Sequence, residues 1–139
     1  MTTTAHTPTS ASTAPRGTRV AYGAMRGLLL FFGVFGAFAA TYFGFVLDAA
    51  DGGIGNGFDL FVTLWKIGIS LAFLVAAVGP RLDRRQRITV ATWAMAAQFV
   101  FDGIKILYYH EAAARIFVVI DSVLLAVVLL AGRTTRADA

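Results

Sequence analysis

A chain of 139 residues that is 58% hydrophobic and only 14% charged, with a mean hydropathy of +0.71, has too little polar surface to clothe a soluble core. The membrane class leads before any residue is read. No cysteine is present, which excludes disulfides, iron–sulfur clusters, thiolate metal sites and thiol catalysis together. The basic balance does not indicate nucleic acid: ten of the twelve basic residues are Arg, and nine of those ten lie in three short segments beside apolar runs.

The first residues, MTTTAHTPTSASTAPRGT, are rich in Thr, Ser, Ala and Pro with almost nothing to bury, so residues 1–20 read as a disordered tail in which His6 is solvated. Its arginines come late and the apolar run behind it is long, so it does not read as a signal peptide. Four apolar segments follow, at 27–47, 60–78, 88–107 and 112–131, each 19 to 21 residues long. A helix needs about 20 such residues to cross the hydrocarbon core. In lipid the backbone must satisfy its own hydrogen bonds, so the spans are helices. The expected fold is an all-α integral membrane protein of one domain (21–133), four transmembrane helices in an antiparallel up-down bundle, with a short second tail at 134–139.

Charge sets the expected orientation. Arg16, Arg19 and Arg26 precede the first span, Arg81, Arg84, Arg85 and Arg87 fill the second loop, and Arg133 and Arg136 follow the fourth span. The first loop carries Asp48, Asp51 and Asp59 and no base. The positive-inside rule then places both termini in the cytoplasm of a cell whose inner (plasma) membrane holds the protein. The acidic loop has a calcium-like spacing, with Asp48 and Asp59 at positions 1 and 12 and Gly53 at 6. Ala50 and Gly52 stand where oxygen ligands are required, so it reads as a connector. No metal or other cofactor is expected.

Four charged residues lie deep within the apolar spans: Lys66, Asp102, Lys105 and Asp121. The only two lysines in the protein are both among them, and Lys, unlike Arg, can shed its proton when buried. Counting residues from the arginine loop at about 1.5 Å per residue puts Lys66 and Asp102 level, with Asp121 within one turn of them. Gln98, Asp102, Lys105 and Tyr109 form one stripe at i, i+4, i+7, i+11, and Asp59, Thr63, Lys66 and Ser70 form another. Helices with one polar seam in lipid turn that seam toward protein. The two seams are expected to face each other, pairing Lys66 with Asp102, with Asp121 and Ser122 joining from the fourth span. In the first span Gly33, Ala37, Ala40 and Gly44 make a smooth packing face, within the bundle or between protomers. Glu111 and Arg115 are spaced as a solvated helix pair, and His110 reads as a solvent-facing turn residue.

Three function classes fit. The leading one is a homo-oligomeric channel or transporter protomer for protons or a small ion or solute, because four spans leave little volume for a private pore. The second is an accessory or assembly subunit of a larger membrane complex. The third, a small enzyme acting on a lipidic substrate, lacks a nucleophile, a metal set and a phosphate loop. Intramembrane charge defaults to function, although a register-fixing ion pair is the architectural alternative. The expected surroundings are the lipid bilayer and other protein chains, with no nucleic acid.

Overall fold

The computed structural model of the protein describes residues 16–47 and 57–137. The tail ahead of residue 16 and the calcium-like spacing of the first loop lie outside the described residues. Four helices are long and apolar enough to cross a membrane. They are α1 (Arg16–Thr41, continued by a π-helical turn at Tyr42–Leu47), α2 (Gly57–Val78), α3 (Arg84–Leu107) and α4 (Ala114–Ala137).

Helix α1 starts well before residue 27, where the continuous apolar run begins. Tyr22, Met25 and Leu29 recur at helical spacing, and Met25 and Leu29 are fully buried in the core. Helix α3 also starts early, at Arg84, for a local reason. Asp83 caps it, accepting from the Gln86 backbone at 2.8 Å while the Gln86 side chain accepts from the Asp83 backbone at 3.0 Å. Helix α2 stops at Val78 because Gly79 and Pro80 follow. Carbonyls at its end and in the turn beyond are taken up from the next helix: Arg87 donates to Ala77 O at 3.0 Å and Ala76 O at 3.2 Å, and in the turn to Leu82 O at 3.1 Å and to Gly79 O. Arg26 adds a bond to Ala77 O at 2.7 Å. A cation at a helix C-terminus also complements the helix dipole.

Helices α1 and α2, α2 and α3, α3 and α4, and α4 and α1 pack against one another, making a bundle. The small face of α1 lies inside it, against α2. A methyl added at Gly33 would stand 2.8 Å from Leu74 Cγ, at Gly36 2.6 Å from Ser70 Oγ, and at Gly44 2.4 Å from Thr63 Cγ2. Small residues here let two backbones approach closely, and this face is therefore not available as a seam between protomers. The aromatic side of α1 is outward, with Phe31, Phe35 and Phe38 all exposed.

The buried interior changes character along the bundle. Toward the arginine end it is apolar: Met25, Leu29, Phe73, Met95, Leu124, Val128 and Ala131 are each at most 2% exposed. The buried polar residues Ser70, Gln98, Asp102 and Asp121 all lie toward the other end, together with buried Val62 and Ala114. That switch positions the site.

Candidate polar network

Helices α2 and α3 deliver a chain of polar groups that is half-buried at Lys66 and buried beyond it, and α4 adds the buried Asp121. Lys66 Nζ donates to Gln98 Oε1 at 2.6 Å, and Gln98 Nε2 donates to Asp102 Oδ1 at 3.0 Å. An ammonium only donates and this carboxylate oxygen accepts, so the amide is oriented by its neighbours and each of its ends is used. Asp121 lies on α4, which packs against α3, and is buried as well. Gln98, Asp102 and Asp121 are 4%, 2% and 4% exposed. The seams of α2 and α3 thus meet, but Lys66 and Asp102 do not form a direct ion pair. Gln98, one turn before Asp102 on the same face, fills the gap between them.

Two oxygens in this group have no donor. Asp102 Oδ2 and Asp121 Oδ2 are buried without a hydrogen-bond partner. Buried polar atoms left unpaired cost about 1 to 3 kcal/mol each and call for an explanation.

A cleft of about 330 Å³ leads to the lysine end of the chain. It is lined by Asp59, Thr63, Lys66, Phe101, Lys105 and Tyr109, with Gly44 and Phe43 of the π-helical turn on its α1 side. The Phe101 ring neighbours both ammonium groups, 5.2 Å from Lys66 Nζ and 6.0 Å from Lys105 Nζ. Cations over an aromatic face are held by its quadrupole, more strongly where water is scarce. At the cleft rim the Tyr109 hydroxyl donates to Asp59 Oδ1, tying the outer ends of the two seams together. Ser70 closes the opposite end of the α2 seam by donating to Lys66 O at 2.9 Å. Thr63 stands against Gly44. A larger groove of about 480 Å³, lined by Trp65, Ala72, Val90, Trp93 and neighbours on α2 and α3, is apolar and lies apart from the chain of polar groups.

Some expected placements differ. Lys105 is not part of the central chain; it forms an ion pair with Glu111. The chain reverses after α3 with His110 at φ 52, a left-handed conformation uncommon outside glycine. That reversal brings Glu111 N to Lys105 O at 3.1 Å, and so brings its carboxylate back to the ammonium. Glu111 precedes α4, and the helix pair with Arg115 does not form among the described residues. Ser122 does not join Asp121: it is exposed and donates to Val118 O at 2.7 Å, because one residue along a helix is about 100° around it. Neither Phe101 nor Gly36 stands out in the sequence as a site residue. Phe101 is one of many phenylalanines, and the position of Gly36, one residue from the smooth stripe, carries no polar signal.

Among the described residues no cluster of three His, Cys, Asp or Glu side chains could hold a metal ion. No family model matches the chain, and neither a curated protein nor a solved structure matches it.

Proposed function

We propose that the protein is a protomer of a homo-oligomeric membrane transporter for protons or a small ion. The observation that carries this reading is the hydrogen-bonded chain Lys66–Gln98–Asp102, buried beyond its half-buried lysine, accompanied by buried Asp121 and approached at Lys66 by a polar cleft from one end of the bundle. Ionisable groups inside a span are expensive and mark ion pathways or proton relays. An architectural pair would need no cleft. The other half of the bundle is filled by Met25, Leu29, Phe73 and Met95, which favours a transporter that changes shape over a permanently open channel.

In this reading the helices run antiparallel, up and down, through an inner (plasma) membrane. Both termini and the Arg81–Arg87 loop face the cytoplasm, and the cleft opens outward. A reporter fused after Arg136 is expected to be active only in its cytoplasm-requiring form, and one inserted near Asn56 only in its exported form. The opposite pattern at either site sinks the orientation.

Transport is tested in liposomes under an imposed proton or sodium gradient. The wild-type protein is expected to carry current well above that of empty vesicles, and Asp102→Asn to fall at least tenfold while keeping its elution profile in detergent. Background flux from the wild type, or undiminished flux from Asp102→Asn, rejects the reading.

A further inference from the structure

We propose that the cleft lined by α1, α2 and α3 is a binding site for a small carboxylate with an apolar body, whose carboxylate accepts from Lys66 Nζ. The space is about 330 Å³ and draws its walls from all three helices, a size at the lower end of small-molecule pockets. Part of the α1 wall is the π-helical turn at Tyr42–Leu47. Such turns are rare and concentrate at functional sites.

The two lysines of the cleft are satisfied differently. Both neighbour the Phe101 ring, and Lys105 has a carboxylate of its own, that of Glu111. Among the described residues Lys66 Nζ donates to the amide oxygen of Gln98 and to no carboxylate. An ammonium has three N–H donors, so Lys66, half-buried and lining the cleft, has donors left for an occupant. Asp102 stands behind Gln98, and neither Asp102 nor Asp121 lines the cleft. Asp59, at the rim, already accepts from the Tyr109 hydroxyl. A ligand carboxylate would do for Lys66 what Glu111 does for Lys105, through a charge-assisted hydrogen bond. The remaining walls set the class of ligand. Ala40, Phe43, Val62 and Phe101 are apolar and suit a hydrocarbon body. No arginine is among the described lining residues, so the planar fork that phosphate recognition favours is missing.

The consequence for transport, that the small ion is a carboxylate, rests on the transport reading; binding itself does not. The same carboxylate can arrive on a water-borne acid or on a fatty acid from the bilayer, and benzoate and decanoate separate the two sources. Calorimetric titration of the purified protein in detergent, against empty micelles, is expected to show saturable binding of at least one of them. That acid is expected to bind about tenfold or more tighter than the matching alcohol, benzyl alcohol or decanol. Tighter benzoate marks a water-borne ligand and tighter decanoate a lipidic one. Lys66→Met is expected to remove the preference for acid over alcohol. Ala40→Leu, which alters no charged group, is expected to weaken binding about tenfold by filling the cleft. Wild-type protein that binds neither acid, or binds benzylammonium more tightly than either, overturns the proposal without any variant. So does a folded Ala40→Leu protein with undiminished affinity. Saturable binding by a protein that carries no ion in liposomes keeps the site and discards transport. Proton or sodium flux without acid binding keeps transport and discards the site.

Discussion

Replacing Gln98 with leucine is expected to destabilise the protein as much as removing either charge it joins. The substitution deletes the acceptor of Lys66 Nζ and the donor to Asp102 Oδ1 in one step. Phe101, 5.2 Å from the ammonium, remains as its aromatic neighbour, but a ring face does not replace a carbonyl oxygen at hydrogen-bond distance. Breaking a buried charged network by removing one member costs roughly 3 to 5 kcal/mol in soluble proteins. The thermal midpoint in detergent should fall accordingly, with a marked loss of folded yield. The cause is separable from simple misfit by a double-mutant cycle with Lys66→Met. If Gln98 bridges, the two losses are coupled by about 1 kcal/mol or more, because methionine no longer needs the acceptor that leucine removes. Strictly additive losses would show that the two side chains do not interact.

The second large effect is expected at the other end of the bundle. Arg87 gathers the carbonyls of Ala76, Ala77, Gly79 and Leu82, and so closes α2 from α3. Hydrogen bonds from a charged donor are worth about 1.5 to 3 kcal/mol each and are not additive. Water can reach some of these carbonyls once the side chain is gone. Arg87→Met is therefore expected to cost about 3 kcal/mol in unfolding experiments. Arg87→Lys should recover less than half of that, because a point ammonium cannot reproduce a planar fork spread over four acceptors. A lysine variant as stable as wild type would show that charge near the helix end, rather than the fork, closes α2.

These two residues differ in how visible they are before folding. Gln98 belongs to a stripe whose spacing alone puts it beside Asp102, so its membership of the site is legible. Its position between Lys66 and Asp102 is not, because residue counting gives depth to within a turn and cannot say which of two polar side chains on one face is the nearer. Arg87 is legible only as one of four arginines in a loop, where its charge suggests orientation. Its carbonyl contacts depend on how the Gly79–Asp83 turn folds back, which no periodicity encodes. The early start of α3 is a different case, since Asp83 and Gln86 already have the spacing of a capping box in the sequence. Hydropathy alone begins the span at Ile88 and passes over that signal. The Lys105–Glu111 pair depends on a left-handed His110, a backbone state that side-chain pattern does not announce.

The cleft ending at Lys66 also has an electrical consequence for a membrane-spanning protein. Water filling it from the open end would carry the potential of that side inward as far as the ammonium, leaving the cleft half of the bundle poorly insulating. The layer that resists charge is then the packed half, from Ile69 and Phe73 to Val128 and Ala131. Nearly all of a transmembrane voltage would fall across this shortened layer. A unit charge crossing it does electrical work of about 2.3 kcal/mol per 100 mV. The field on the methionines and leucines beneath Lys66 would then be steeper than the same voltage spread over a full bilayer, with the polar chain at its edge.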